Sequence, residues 1–339
     1  MEPTISLCMI AKDEEKSIGK AIDSVKDIVD EIVVVDTGSA DRTKEVALAG
    51  GAKVIDVRWA DDFSAARNES LKSATKDWIL VLDADEVLAG DGCEKIKGAI
   101  SGAGGTVGGF ALEQRTYVAK AEEGARKNPG PFPDPGEYPF FVPHSLVRLF
   151  RNRQGFSFRH RVHELVEDSI RENGKTIKAL GCAIHHFSAE RGKESTEKKA
   201  AYYISLIGKQ AAEQPDNPRY AYQMARAFLG QGNPEEARRW FAKTAALDPR
   251  YRLVHSELAK IHLKKGEMGE AKECFRKSME LHPDNPSPAN NLAAIHLSMG
   301  EYAEAKRILE EALKKHPGHK ILEHHYQEAL RVLKQKVGA

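Results

Sequence analysis

A 34-residue period in the last third of the chain constrains its fold more than any other feature. Gly232, Gly266 and Gly300 keep that interval, as do Ala237, Ala271 and Ala305, and Pro249, Pro283 and Pro317. The segments LGQGNPEEARRWFAKTAALDP, LKKGEMGEAKECFRKSMELHP and LSMGEYAEAKRILEEALKKHP align in one register. Such a period marks a stacked array, in which each unit buries its apolar face only against its neighbours. The glycine reads as the end of the first helix of each pair and the proline as the close of the second. The small alanine lets the two helices approach. Residues 320–336 (KILEHHYQEALRVLKQK) read as a capping helix. This gives a repeat domain over 218–339 with three repeats, preceded by a helical linker over 193–217.

The first 192 residues follow another rhythm. ISLCMI (5–10), EIVVVD (31–36), AKVIDV (52–57) and WILVLD (78–83) are apolar, β-rich runs that suit strands buried on both faces. Ile18, Ala21, Ile22 and Val25 share one helical face between the first two. Ser39 or Asp41, and then Asp62 or Ser64, stand where helices need caps. The predicted architecture is a Rossmann-like, mostly parallel α/β sheet followed by an all-α solenoid. Residues 101–144 break the pattern: SGAGGTVGG reads as flexible, NPGPFPDPGEYPFFVP is proline-rich, and FALEQRTYV (110–118) alternates like a strand. This stretch reads as an excursion carrying acceptor contacts or a mobile lid, or else as a disordered surface insertion.

The turn after the first strand is Ala11-Lys12-Asp13-Glu14-Glu15, where a dinucleotide fold would have glycines. Its three carboxylates would repel a pyrophosphate, and the chain has no GxxxxGK[ST] run. A nucleotide would therefore need a divalent cation. WILVLDADE offers an anchor: Asp83 and Asp85 follow a buried strand at the end where open α/β sheets bind ligands. Their hard oxygens suit Mn²⁺ or Mg²⁺. The alternative is that one of them only caps the next turn.

ISLCMIAKDEE, DEIVVVDTGSADRT, WADDFSAARNESL and DWILVLDADE, in that order, resemble family 2 glycosyltransferases with the GT-A fold. The likeness is close over residues 4–90 and looser over 144–190. The C-terminal units resemble tetratricopeptide repeats (TPR), and the TPR-bearing branch, similar to bacteriocin-peptide glycosyltransferases, matches best. The resemblance implies that Asp36 reads the nucleobase, with Thr37, Gly38, Ser39 and Asp41 shaping its pocket and Glu14 lying over the nucleoside. It implies that Arg67 and Asn68 line the donor pocket, that Asp85 binds the metal, and that Asp83 serves ribose or metal. RLFRNRQGFSFRHRVHELVED resembles the family segment ending in VHE, which makes Glu164 the candidate general base, with Asp61 and Asp62 as rivals. A salt bridge from Glu164 to Arg159 or Arg161 is the structural alternative. In GCAIHHFS, His186 aligns with the family's metal-binding histidine, and strand alternation turns His185 the other way. Ser188 stands where the family has glycine.

Inverting transfer from a UDP-sugar follows from the same resemblance. The arm implies a peptide or protein acceptor; the alternative is an arm for homodimer formation or docking to a partner complex. Two other classes stand beside this one. One is a TPR scaffold with an inactive nucleotide-binding domain. The other is a sugar nucleotidyltransferase, which would place a basic glycine-rich loop where this chain has acids. With 51 basic and 50 acidic side chains, no global charge draws the chain to nucleic acid or anionic lipid. Cys8, Cys93, Cys182 and Cys274 form no CxxC motif and read as reduced. With no basic-plus-apolar leader and no apolar run long enough for a membrane span, the expected location is the cytoplasm.

Overall fold

The computed structural model describes residues 2–121, 124–130, 133, 136–187 and 193–337. The chain divides into two compact units, Met1–Leu206 and Ile207–Ala339. The first unit contains strands β1 (Ile5–Ala11), β2 (Glu31–Asp36), β3 (Lys53–Asp56), β4 (Trp78–Val81), β5 (Glu86–Leu88), β6 (Val107–Val118), β7 (Arg126–Lys127), β8 (Phe140–Arg151) and β9 (Thr176–His186). Its helices are α1 (Ile18–Asp23), α2 (Thr43–Ala49), α3 (Phe63–Ser73), α4 (Gly92–Ser101), α5 (Glu167–Glu172) and the first part of α6 (Lys193–Glu213).

Among the described residues the strands form one sheet in the order β3-β2-β1-β4-β8-β6-β9-β5, with β7 paired to β8. The four apolar runs make its parallel half. Alternation along β1 sends Leu7 and Met9 into a core with Ile18, Ala21 and Ile22 of α1. Cys8 goes to a second core with Ile79, Val81, Phe150 and Phe158. Apolar burial on both faces explains why β1, β2 and β4 read as continuous runs, whereas the edge strand β3 is exposed at Lys53 and Asp56; each buried Leu or Ile contributes about 1.5–3 kcal/mol. From β8 onward the sheet is mixed: β8 is antiparallel to β4 and β6, and β9 is parallel to β6 and antiparallel to β5.

The reading of 101–144 as an excursion is corrected in part. Residues 107–118 form β6, as the alternation of 110–118 implied, and 140–144 begin β8; these are the two longest strands, and they pair along their length in the middle of the sheet. The glycines of SGAGGTVGG are not all flexible either. A Cβ on Gly108 would lie 2.5 Å from Lys175 Cβ and 2.7 Å from Ile170 Cγ2, so a close approach of α5 and the start of β9 requires glycine there. Residues 122–123, 131–132 and 134–135 of the expected lid, and Ser188, lie outside the described residues.

The second unit is helical: the rest of α6, then α7 (Pro218–Gly230), α8 (Pro234–Leu247), α9 (Val254–Lys264), α10 (Met268–Leu281), α11 (Ser287–Ser298), α12 (Tyr302–Lys315) and α13 (Lys320–Val337). Gly232, Gly266 and Gly300 take φ of 73°, 78° and 74° just past α7, α9 and α11, a left-handed stop that favours glycine. Ala237, Ala271 and Ala305 are fully buried, and Phe241, Phe275 and Leu309 fill the space one turn on. The period in the sequence is thus a period in packing, and α13 closes it.

Candidate active site

The turns after β1 and β2 are knitted together. Asp13 donates its N–H to Ser39 Oγ and accepts from Ala40 N at 2.8 Å; Glu14 N donates to Thr43 Oγ1. Glu15 N donates to Asp41 Oδ2, and Glu15 Oε2 accepts from Arg42 N. Asp41 Oδ1 accepts from Thr43 N at 2.9 Å. Asp41 and Glu15 therefore satisfy the amides of Thr43 and Arg42 at the start of α2, whose N-cap Arg42 makes no side-chain cap, and Asp13 that of Ala40 in the turn before it. Glu14 accepts from Ser17 Oγ. Asp36, buried at the end of β2, accepts from Gly38 N and Ser39 N through Oδ1 and from Ser39 Oγ through Oδ2. Gly38 takes φ 104° in that turn, and Thr37 donates to Ala11 O.

Asp83 and Asp85 lie in the turn from β4 to β5 but have different surroundings. Asp85 Oδ2 is 3.5 Å from His186 Nε2 at the end of β9. His186 Nδ1 is 3.1 Å from Thr116 Oγ1. Burial opposes the His186 cation, but the hydrogen bond and charge of Asp85 outweigh it and raise its pKa. His185 points to the opposite face, buried against Tyr117, whose hydroxyl is 2.7 Å from His185 Nδ1. Burial pushes its pKa down to about 4.

Asp83, half-buried, joins an ion network whose arginines are buried. Arg67 Nη2 donates to Asp83 Oδ1 at 2.6 Å, and Arg67 Nε donates to Glu164 Oε1 at 2.6 Å. Arg148 Nη2 reaches both Asp83 Oδ2 (3.2 Å) and Glu86 Oε1 (2.7 Å). Glu86, wholly buried, also accepts from Gln114 Nε2 and from the Asp83 amide. Burial works against ionising Asp83, but the two arginines outweigh it and hold its pKa well below the usual carboxylate range. Burial pushes Glu86 upward, with Arg148 opposing.

Glu164 thus pairs with Arg67 rather than with Arg159, which pairs with Glu172, or with Arg161, which lies 3.9 Å from Asp62. His160 and His163 take left-handed backbone (φ 77° and 53°) in the segment that brings Glu164 to Arg67. Asn68 is bound at both ends of its amide to the Phe158 backbone. Asp62 caps α3, accepting from Ala65 N. Asp61 accepts from the Tyr202 hydroxyl, which also takes the Trp59 indole N–H.

Arg148, Glu86 and Gln114 were not foreseen as site residues. The available signal was the charge inside the apolar run LVRLF, since an arginine buried in a strand must find a carboxylate.

Among the described residues, a mostly parallel half-sheet with acidic turns at its strand ends and an appended helical array defines a GT-A-like α/β protein with a repeat arm. Residues 6–121 match Glycosyl transferase family 2, and residues 222–286 and 262–322 match tetratricopeptide repeats. An uncharacterized glycosyltransferase of Rickettsia typhi is 30% identical over 234 residues, covering 66% of this chain and 75% of that protein. The chain belongs to glycosyl transferase family 2. A TPR repeat-containing protein of Synechococcus elongatus is 33% identical over 262 residues, 74% of this chain and 60% of the relative. The SPbeta prophage-derived glycosyltransferase SunS of Bacillus subtilis is 25% identical over 238 residues, 69% of this chain. The chain spans only 60% and 51% of the length of these last two. No helix among the described residues is long and apolar enough to cross a membrane.

Proposed function

We propose that the protein is an inverting glycosyltransferase that moves a sugar from a UDP-sugar, with Mn²⁺ or Mg²⁺, onto a peptide or protein acceptor. The observation that carries this reading is the convergence at one end of the sheet of two distinct sets: Asp85 with His186, and Glu164 with Arg67 and Asp83. A carboxylate and an imidazole fit a divalent cation. Adjacent ligands of an octahedral ion stand about 3 Å apart, near the 3.5 Å between Asp85 Oδ2 and His186 Nε2. Among the described residues no three His, Cys, Asp or Glu side chains form a cluster able to hold a metal, so diphosphate oxygens and water would complete the shell. When bound, the cation neutralises charge on the departing diphosphate.

The chain's own residues would divide the remaining work. Asp36 and its turn, with Thr37, Gly38, Ser39, Asp41 and Glu14, receive the nucleoside. Glu164, held through Oε1, uses Oε2 to take the acceptor's proton as its oxygen or sulfur attacks the anomeric carbon opposite the leaving group. Arg67 orients Glu164, and Asn68 acts through the Phe158 segment that it fixes. Inversion and the UDP preference rest on the family resemblance.

The test is calorimetry with UDP, GDP and CDP, with and without Mn²⁺, on the protein and on Asp85→Ala. UDP should bind with Mn²⁺, and Asp85→Ala should weaken it at least about tenfold, or about 1.4 kcal/mol, with the melting transition retained. Equal affinity in the two proteins would sink the metal assignment.

A further inference from the structure

We propose that Arg148 is a positioning residue for transfer: it fixes Asp83, through which Arg67 and Glu164 are held in place. The inference rests on the glycosyltransferase reading, with Glu164 at the acceptor.

The network has a direction. Glu86, fully buried at the head of β5, receives the Asp83 amide, Gln114 of β6 and Arg148 of β8. The same Arg148 nitrogen grips Asp83, so Arg148 pins the whole β4–β5 turn to the neighbouring strand. Asp83 then offers its other oxygen to Arg67, and Arg67 offers its Nε to Glu164. Each link is a charged contact of 3.2 Å or less. Both oxygens of Asp83 are therefore engaged with arginines.

Such a network is costly. Both guanidinium groups are more than nine-tenths buried, and apolar residues of similar volume would stabilise a fold as well or better. An ion chain with buried arginines that ends on the candidate base is better explained by placement than by stability. Asp85 does not depend on it alone, because β5 is independently tied to β9 by the Glu86–His186 register. Loss of Arg148 should therefore fall on the chemical step more than on nucleotide binding. Both contacts of Arg148 come from one nitrogen, so a lysine ammonium can replace them.

The test uses the full chain with Arg148→Met, Arg148→Lys or Glu86→Gln. UDP affinity with Mn²⁺ is read by calorimetry. Hydrolysis of UDP-glucose, UDP-galactose and UDP-N-acetylglucosamine, with water as the acceptor whose proton Glu164 takes, is read by steady-state kinetics, and folding by thermal melting. Arg148→Met should lower kcat at least about tenfold with UDP affinity changed less than about threefold, and Arg148→Lys should return kcat to within about threefold of the parent. Glu86→Gln, nearly isosteric, should lower kcat at least about threefold at unchanged UDP affinity, and it decides the matter if Arg148→Met does not fold. Folded variants with the parental kcat, or with UDP affinity lost in step with kcat, overturn the inference. A parent protein that neither binds UDP with Mn²⁺ nor consumes any of these donors overturns the reading beneath it, and the inference with it.

Discussion

Two adjacent histidines show how much a single position decides. His186 meets Asp85 and Thr116, while His185 is buried with Tyr117 on the other face. The folded chain keeps His185 neutral down to about pH 4, whereas an unfolded chain takes up its proton near 6.5. Between those values the unfolded state binds more protons, so stability should fall as pH falls through that window. Melting curves from pH 7 to 4 should show a smaller fall in Tm for His185→Gln than for the parent; an equal fall would place the acid sensitivity elsewhere. In the same variants, His186→Ala should reduce the Mn²⁺ dependence of UDP binding and His185→Gln should not. The doublet was legible because strand alternation leaves each face one histidine. The partner of Glu164 was not, since Arg67 lies far away in the sequence and nothing local distinguishes it from Arg159 or Arg161, which are nearer.

Caps and close contacts dominate at the scale of the elements. Asp62 starts α3, so Asp62→Ala should cost about 1 kcal/mol of stability while turnover survives. Glu164→Gln should instead lower kcat by about 100-fold or more, as loss of a general base does. If Asp62→Ala shows the larger loss in kcat, the base has been misplaced. Gly108 is the other critical position. Gly108→Ala should destabilise the first unit by about 1–3 kcal/mol, read as a Tm drop of about 3–10 °C, because the methyl group meets Ile170 and Lys175. An unchanged Tm would show that α5 can yield. Strands β1, β2 and β4 were plain in the sequence because burial on both faces leaves an unbroken apolar run, while the edge strand β3 was legible only from Val54 and Ile55 between an exposed lysine and an exposed aspartate. The β6 strand was half hidden because its glycines are required by crowding, and a sequence shows crowding and flexibility with the same letter. The acids of the first turn were legible as charges but not as hydrogen-bond partners: Asp13 accepts from Ala40 N and Glu15 from Arg42 N, in the turn that leads into α2.

For the molecule as a whole, the repeat arm was the most legible part, since three registers repeat in both sequence and packing. Its role is a matter for kinetics. If the arm holds the acceptor, a shortened chain ending after Glu213 should still hydrolyse the UDP-sugar slowly but lose kcat/KM for the acceptor, because remote binding energy supports the chemical step. Transfer at the full-length rate by a stable shortened chain would assign the arm to dimerisation or docking. The sheet order also sets a schedule on the ribosome. β9 is inserted between β6 and β5, and Glu86 finds its strand partner only at His186. At about 5–20 residues per second, that interval lasts roughly 5–20 s. Until β8 emerges, the apolar β4 lacks its second neighbour. The repeats that follow need only the helices beside them and can close as they emerge. A chaperone that guards this nascent chain should therefore engage it while β4 waits for β8, and release it before the first repeat is complete.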